Sequence, residues 1–417
     1  MSILRINGGR RLEGSVRVQG AKNSVLPIMA ASILARGQTV IHNCPDLRDV
    51  NAAIQILKHL GCTVARDDSS VVINSAAMIR ADIPHELMKE MRSSVIFLGA
   101  ILARCGSAKL SMPGGCELGP RPVDMHLKAL RDLGAVVSEE SGSIICGVKK
   151  LKGCKINFAL PSVGATENAM LTATACEGTT VITNAACEPE IWDLQKYLRS
   201  IGVKISGAGT PTITVEGGQT GADTQHSVIP DRIVAATYLS AAAASNGKIT
   251  LTGVIPQHIS TVTDALFEMG CEITIGEDAV HIDATGPKKA IRPVVTRPYP
   301  GFPTDAQPPL MAACLTAEGT TVFIENIFTN RYRHTGELQR MGANIKTEGK
   351  VAIVTGVKRI YGAPVESTDL RGGAALCVAA LGAEGTTQVS KLEHIDRGYD
   401  NFEASLKTLG ADIERVG

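Results

Sequence analysis

The chain has 417 residues, which is too many for one ordinary hydrophobic core and predicts two or three domains. Hydrophobic residues make up 44% and charged residues 20%, a globular composition that excludes a disordered or fibrous protein. Lys and Arg number 42 against 41 Asp and Glu, so the net charge of +1 argues against a general nucleic-acid binder.

The first long apolar segment, residues 25–35, is about half the length of a membrane span. It follows Arg17 and Lys22 and so imitates a signal peptide, but it starts late and contains Pro27, so we predict an internal helix. Eleven scattered cysteines form no C-x-x-C pair, and nine histidines show no metal-binding spacing. We therefore expect a soluble, cytoplasmic protein with reduced cysteines, no metal and no membrane insertion.

One unit is repeated six times along the chain, and each copy contains a helix that ends at a glycine. These glycines are Gly61, Gly134, Gly202, Gly270, Gly342 and Gly410. Their spacings of 73, 68, 68, 72 and 68 residues are longer than those of common solenoids. Each unit is predicted to run strand, helix, strand, helix, strand, strand, as in the helix at 169–175 and the strands at 204–206 and 212–215. Glycine suits a left-handed helix cap. Six such modules favour two globular domains of three repeats each.

The two ends of the chain are predicted to complete one domain together. The sixth repeat lacks its final strand, and the N-terminus supplies strands at 3–8 and 11–18 that match the missing pieces. We therefore expect residues 22–229 to form the first domain, and residues 230–417 with 1–21 to form the second. Two chain crossings between the domains would suit a hinge around a cleft.

Polar or charged residues recur where the first helix of each unit begins. In chain order they are Lys22, Asn23, Arg92, Ser162, Val163, Gly164, Asp231, Arg232, Thr304, Asp305, Asp369, Leu370 and Arg371. The hydroxyl and carboxyl residues of this set fit helix capping and ligand binding equally well. Three cations, Lys22, Arg92 and Arg371, fit capping less well because a cation opposes the helix dipole. An anionic ligand held by helix N-termini would resolve that conflict.

A loop rich in glycine and proline is predicted at residues 113–122, where three Gly and three Pro occur within ten residues. We expect Cys116 to be exposed in this loop and Arg121 to lower the pKa of its thiol, whereas most other cysteines are expected to be packing residues. The pattern also marks Arg331 and Arg397, although a single Arg is most often a solvated surface residue.

Together these segments resemble the family of UDP-N-acetylglucosamine 1-carboxyvinyltransferases, the enolpyruvyl transferases that open bacterial peptidoglycan synthesis. The motifs that carry the resemblance lie at 20–23, 91–94, 113–124, 161–166, 302–305, 330–331, 369–371 and 394–399. They follow the family order over the whole chain. The resemblance implies an α/β fold of two inside-out α/β barrel domains, each with three repeats, which agrees with the repeat count.

The resemblance also implies a reaction, in which enolpyruvyl passes from phosphoenolpyruvate to the 3-hydroxyl of UDP-N-acetylglucosamine and phosphate is released, without a cofactor. It implies that Cys116 is the general acid, able to form an adduct with the substrate and be a target of fosfomycin, and that Asp305 is the base. It places a set of cations around phosphoenolpyruvate, namely Lys22, Arg121, Arg331, Arg371 and Arg397, and counts Lys22 and Arg397 as catalytic. The remaining substrate-binding positions that it implies are Asn23, Arg92, Pro122, Val123, Asp124, Met125, Ser162, Val163, Gly164, Ile327 and Asp369.

Two positions depart from the family pattern, since Leu160 and Arg48 stand where some members carry Lys. A diphosphate contact at position 160 is therefore not implied here, while Arg48 could substitute. Two alternative functions stay open. One is the enolpyruvyl transferase of the shikimate pathway, against which the Pro-Gly-Gly-Cys loop argues. The other is a non-catalytic sugar-nucleotide sensor, against which Cys116, Asp305 and the five cations argue.

Overall fold

The computed structural model describes residues 2–91, 93–112, 123–218 and 221–417. None of the helices in these ranges is both long enough and apolar enough to cross a membrane. The chain divides into two compact units: the first lies within residues 20–229, and the second combines residues up to 19 with 230–417. Gly20 and Ala21 lie with the first unit, two residues ahead of the expected boundary, and the Ala21 N–H donates to the Ile229 carbonyl at 2.8 Å.

Groups of one to three strands are separated by helices along the described part of the chain. In chain order, the strands are β1 (Ile3–Asn7), β2 (Glu13–Arg17), β3 (Gln38–His42), β4 (Thr63–Asp67), β5 (Ser70–Asn74), β6 (Asp82–Ile83), β7 (Ser107–Ser111), β8 (Val136–Glu140), β9 (Ser143–Gly147), β10 (Lys155–Asn157), β11 (Thr179–Thr183), β12 (Lys204–Ser206), β13 (Thr212–Glu216), β14 (Thr224–Ser227), β15 (Lys248–Thr252), β16 (Glu272–Ile275), β17 (Ala279–Asp283), β18 (Val294–Val295), β19 (Thr320–Ile324), β20 (Asn344–Glu348), β21 (Val351–Thr355), β22 (Pro364–Glu366), β23 (Thr386–Ser390) and β24 (Asp412–Val416). The α-helices are α1 (Lys22–Ala31), α2 (Arg48–Leu60), α3 (His85–Glu90), α4 (Phe97–Cys105), α5 (Asp124–Asp132), α6 (Val163–Ala173), α7 (Pro189–Ser200), α8 (Arg232–Ala244), α9 (Ser260–Met269), α10 (Gln307–Ala313), α11 (Thr335–Arg340), α12 (Leu370–Gly382) and α13 (Phe402–Thr408). Short 3-10 helices lie at Ser32–Ala35, Ser94–Ile96, Pro256–Ile259, Thr304–Ala306, Cys314–Thr316, Arg331–His334 and Leu392–Arg397.

In the described part of the chain the strands form six four-stranded sheets, three in each unit. The sheets of the first unit are β14-β3-β5-β4, β6-β7-β9-β8 and β10-β11-β13-β12. Those of the second unit are β2-β15-β17-β16, β18-β19-β21-β20 and β22-β23-β1-β24. In every sheet one edge strand runs parallel to its neighbour and the other two pairings are antiparallel, as β10, β11, β13 and β12 show. The sixfold repeat predicted from sequence is therefore confirmed.

The N-terminal strands complete two sheets of the second unit, as predicted. Strand β1 lies between β23 and β24, with Ile6 opposite both Thr387 and Ile413. Strand β2 runs parallel to β15, with Val16 opposite Leu251. The six repeated glycines all have positive φ, between 88° and 109°, so the left-handed helix ends are confirmed as well.

The first helix of each repeat is enclosed on all sides, whereas the second helix is amphipathic. In the second unit α8, α10 and α12 pack against one another, and small residues allow this close packing. A Cβ atom at Gly382, for example, would lie 2.3 Å from the carbonyl oxygen of Ala244. With helices inside and sheets outside, each unit is the inside-out α/β barrel that the family resemblance implies.

Candidate active site

Three of the predicted polar helix starts are helix caps. Backbone N–H groups donate to the side chain of Ser162 at 3.4 Å, of Asp231 at 2.8 Å and of Asp369 at 3.0 Å. Thr304 is different, because Pro303 occupies the cap position and the Thr304 hydroxyl instead donates to Glu325 Oε2 at 2.9 Å. Capping therefore accounts for three of these side chains, and the side chain of Thr304 has another role.

Asp305 joins two buried arginines at the start of α10. Arg331 Nη2 donates to one carboxylate oxygen at 2.6 Å, and Arg371 Nε donates to the other at 3.2 Å. The Asp305 side chain is 27% exposed, while both guanidinium groups are almost completely buried. Asp369, the cap of α12, lies 3.8 Å from Arg331 Nη1. Four predicted site residues from three separate segments are thus brought together.

This arrangement fixes the charge of Asp305. Burial raises the pKa of the Asp305 carboxyl, but attraction to Arg371 and Arg331 outweighs burial and holds that pKa far below its ordinary value of 3.8. Burial alone would lower the pKa of Arg371, yet Tyr399, Asp305 and Asp231 together raise it. The Arg371 guanidinium also lies 5.4 Å from the centre of the Tyr399 ring. Asp305 and Arg371 are therefore both ionised over the whole physiological range of pH.

Within the described residues, three buried nitrogen atoms at this ionised group make no hydrogen bond. Among the described residues, Arg331 Nη1 and Arg371 Nη1 are buried without a hydrogen-bond partner. The same holds for Nε2 of His334, whose Nδ1 lies 3.1 Å from the carbonyl oxygen of Arg331. Burial lowers the pKa of His334 to about 4, so the ring is neutral. Because unpaired buried donors are costly, the two guanidinium donors favour a site that an anion completes.

In the first unit, the cation Lys22 is held by a buried carboxylate. Lys22, the first residue of α1, lies with its Nζ atom 2.7 Å from Asp49 Oδ2, and both side chains are buried. Ala21 caps α1 without a side-chain hydrogen bond. The conflict between Lys22 and the helix dipole is therefore met inside the protein by Asp49, a residue that the sequence analysis did not single out.

Gly164 is required by close packing at the start of α6. A Cβ atom there would lie 2.9 Å from Cε1 of the His126 ring. His126 Nδ1 in turn lies 2.8 Å from the side-chain nitrogen of Asn168, and the oxygen of that amide accepts from the Gly99 N–H at 2.6 Å. This network joins α4, α5 and α6, and it fixes the backbone on which Val163 and Gly164 lie.

The other predicted positions of the first unit are placed individually. Asn23 is half-buried beside Lys22 at the start of α1, while Val123 is buried directly before α5. Asp124 and Met125 open α5, where the first is exposed and the second is half-buried.

The two positions that depart from the family pattern lie at the surface. Leu160 is 67% exposed, and Arg48 begins α2 with its Nη2 atom 3.3 Å from Glu90 Oε2. Both members of that ion pair are about half-exposed, so the pair is weak and Arg48 is available for other contacts.

The two remaining predicted positions of the second unit are Ile327 and Arg397. Ile327 is exposed, and its N–H donates to Glu325 Oε1 at 2.8 Å. Arg397 is half-buried at the end of the 3-10 helix Leu392–Arg397, which packs against α12.

Four predicted site residues lie outside the described residues, namely Arg92, Cys116, Arg121 and Pro122. The ten described cysteines are all free thiols, seven of them buried. Burial raises the thiol pKa of nine of them. Among the residues that the structure describes, no group of three or more His, Cys, Asp or Glu side chains could hold a metal ion.

Sequence reasoning missed three residues, Asp49 in the first unit and Glu325 and His334 in the second. Each becomes relevant only through its spatial partner, so the repeat pattern gives no direct signal for it. Glu325 was the easiest of the three to find from the sequence, because a Glu that directly follows a buried apolar strand needs hydrogen-bond partners.

Comparison with known proteins shows close relatives over the full length. A profile of the family described as EPSP synthase (3-phosphoshikimate 1-carboxyvinyltransferase) matches residues 6–406. The chain is 51% identical to UDP-N-acetylglucosamine 1-carboxyvinyltransferase 2 of Caldanaerobacter subterraneus subsp. tengcongensis, over 100% of both chains. It is 45% identical to UDP-N-acetylglucosamine 1-carboxyvinyltransferase of Trichlorobacter lovleyi, over 100% of this chain and 99% of that one.

Solved structures give the same architecture. The enolpyruvyl transferase NikO from Streptomyces tendae superposes with a TM-score of 0.90 at 27% identity, over 100% of this chain and 99% of that one. EPSP synthase from Acinetobacter baumannii superposes with a TM-score of 0.77 at 21% identity over 100% of both chains, a likeness of fold alone.

Proposed function

The chain belongs to the UDP-N-acetylglucosamine 1-carboxyvinyltransferase family, and we propose that it transfers enolpyruvyl from phosphoenolpyruvate to the 3-hydroxyl of UDP-N-acetylglucosamine. Phosphate is the second product. In this proposal the reaction takes place in the cytoplasm and commits the sugar nucleotide to peptidoglycan synthesis, and so to growth, cell shape and cell division.

One observation carries the proposal at the level of the site, the group formed by Asp305, Arg331 and Arg371. Phosphoenolpyruvate combines a carboxylate with a phosphate and so carries a charge of about −3. Two buried guanidinium groups with unused Nη1 donors match the needs of such an anion. Lys22, Arg121 and Arg397 are proposed to supply the remaining positive charge, as the resemblance implies.

The proposed chemistry is an addition followed by an elimination. The 3-hydroxyl oxygen bonds to the central carbon of phosphoenolpyruvate as Asp305 takes the hydroxyl proton, while Cys116 gives a proton to the methylene carbon, which becomes a methyl group. The Cys116 thiolate then takes one methyl proton back while phosphate leaves with the proton held by Asp305, which restores the carbon–carbon double bond and the starting form of both side chains. Atoms and charge balance without an oxidant, a metal or a cofactor.

The low pKa of Asp305 fits this role only if the substrate changes it. While Arg331 and Arg371 hold the carboxylate, it is too weak a base to share a hydroxyl proton. A bound trianion would compete for both guanidinium groups and repel the carboxylate, and both effects raise the pKa of Asp305. The base is thus proposed to become effective when phosphoenolpyruvate is present.

Sugar-nucleotide binding is proposed for the exposed and half-buried helix starts of the first unit. Asn23, Asp124, Met125 and the 162–164 backbone offer polar groups there, together with Arg92, Pro122 and Val123 from the sequence analysis. Ile327 and Asp369 contribute from the second unit. Because Leu160 has no charge to offer, Arg48 is proposed to meet the diphosphate.

A phosphate-release assay tests the proposal. We expect phosphate from phosphoenolpyruvate only when UDP-N-acetylglucosamine is added, and no release with shikimate 3-phosphate as acceptor. Release with shikimate 3-phosphate alone would favour the shikimate-pathway alternative. Substrate binding without release would favour the sugar-nucleotide sensor.

A further inference from the structure

Glu325 is a buried carboxylate in the second unit, directly after β19, with 1% of its surface exposed. Its Oε1 atom accepts hydrogen bonds from the N–H groups of Ile327 at 2.8 Å and Phe328 at 3.0 Å, and its Oε2 atom accepts from the Thr304 hydroxyl at 2.9 Å. Within the described residues, all of these partners are neutral. A buried carboxylate whose hydrogen-bond donors are neutral is costly, so Glu325 is expected to do more than fill space.

The hydroxyl of Thr304 passes the influence of Glu325 to Arg331. A hydroxyl has one proton, and that proton is donated to Glu325, so a lone pair of the oxygen faces Arg331 Nε at 3.0 Å. The bonds run in one direction from guanidinium to hydroxyl to carboxylate, and in such a chain each bond strengthens the next. Glutamine at position 325 would place an N–H donor against the hydroxyl and break this direction.

The other carboxylate oxygen of Glu325, Oε1, affects Arg331 through Phe328. It fixes the backbone of Phe328, whose ring centre lies 4.9 Å from the Arg331 guanidinium. With Nε held by Thr304 and Nη2 held by Asp305, the plane of the guanidinium is set, and Nη1 is the nitrogen left without a hydrogen-bond partner in the described part of the chain.

We propose that Glu325 is a positioning residue for phosphoenolpyruvate, which acts through Thr304 and Phe328 to hold Arg331 with its Nη1 donor directed to the anionic substrate. The inference rests on the proposed function. Because Arg331 would contact the anion before and during the reaction alike, a displaced Arg331 weakens ground-state binding more than it slows the chemical step.

Thr304→Val is the sharpest test, because valine keeps the shape of threonine and leaves the bonds of Glu325 to the 327–328 backbone in place. We expect the KM for phosphoenolpyruvate to rise about tenfold, which corresponds to about 1.4 kcal/mol, while kcat and the KM for UDP-N-acetylglucosamine stay within about twofold. Thr304→Ser restores the hydroxyl and should bring the KM most of the way back. Glu325→Gln should raise the same KM, and the double variant should cost less than the sum of the two single changes.

Thr321→Val is the matched control. Thr321 is a buried threonine on β19 whose hydroxyl accepts from the Ile291 N–H at 3.2 Å, so its loss affects stability alone. An unchanged KM in an active Thr304→Val enzyme, an equal rise in Thr321→Val, or additive effects in the double variant would overturn the inference. If Glu325→Gln does not fold, Thr304→Val decides by itself. A wild-type chain that releases no phosphate refutes the proposed function instead, which keeps the two failures distinct.

Discussion

The substitution Asp305→Asn would keep the shape of the side chain but remove the negative charge that Arg331 and Arg371 share. Loss of one partner from a buried ion pair costs about 3–5 kcal/mol. Asparagine can still accept one hydrogen bond, and Asp369 lies 3.8 Å from Arg331 Nη1, so part of the loss is offset. We therefore expect the free energy of unfolding to fall by about 2–3 kcal/mol.

Turnover should fall further than stability can explain. Without a base for the 3-hydroxyl proton, kcat is expected to fall by about 10²-fold or more at a temperature where the variant is folded. Phosphate release at saturating substrate measures kcat, and urea unfolding measures stability. Turnover within about threefold of wild type would refute the assignment of Asp305 as the base.

The dependence on pH gives an independent check. Because the pKa of Asp305 is lower in the folded than in the unfolded chain, its stabilisation is complete above the unfolded pKa and is lost as the pH falls toward the folded value. The stability gap between wild type and Asp305→Asn should thus stay constant from about pH 8 to 5 and shrink only below about pH 4. Glu216→Gln is the control, since that exposed carboxylate pairs with the exposed Lys204 at the surface, and both stability and turnover should change little. A gap that shrinks already at neutral pH would contradict the ion-pair geometry.

Three further substitutions or treatments have expected outcomes. Asp49→Ala removes the carboxylate 2.7 Å from the buried Lys22 ammonium, so thermal unfolding should show that the free energy of unfolding falls by about 3–5 kcal/mol. Adding Lys22→Met to this variant should recover most of that stability, although not the activity. Additive losses of stability would contradict the pairing. Burial lowers the pKa of His334 to about 4, so protonation of this ring favours the unfolded chain. Between neutral pH and about pH 5, the free energy of unfolding of the wild type should fall by roughly 2 kcal/mol, whereas that of His334→Gln should not show this fall. The same dependence of stability on pH in both proteins would contradict a buried, neutral His334. Fosfomycin should alkylate Cys116 selectively, because burial raises the thiol pKa of most other cysteines. The variant Cys116→Asp should resist fosfomycin while staying active. Mass spectrometry that shows the label on several cysteines would refute the selectivity.

The fold was predictable because its signal is local and repeated. Each of the six glycines has a left-handed backbone that a residue with a side chain rarely adopts, so the same residue recurs at each helix end. The N-terminal strands were predictable for a related reason, since one repeat lacked strands that the other end of the chain supplied.

The partners inside the site were not predictable in the same way. Lys22 and Asp49 lie on two different helices, so only the folded chain shows that they form a pair. Thr304 stands at a helix start, where capping was a fair expectation, but Pro303 takes the cap position and Glu325 attracts the hydroxyl. Sequence marks the residue types that a charged site needs, and tertiary structure decides which of them meet.

The position of β1 in its sheet has a consequence for how the chain is made. Leu4 pairs with Val389, and Ile3 pairs with Val416, so β1 is synthesised long before the two strands that flank it in the sheet. The first unit, by contrast, has all its strands once residue 229 has been synthesised. Folding of the second unit is therefore tied to the synthesis of β23 and β24, and a chain that stops before β24 leaves one edge of β1 open to pairing with other chains. Because Ile3 and Val416 lie opposite each other on neighbouring strands, a short peptide could connect these strands while the chain is opened in a surface loop.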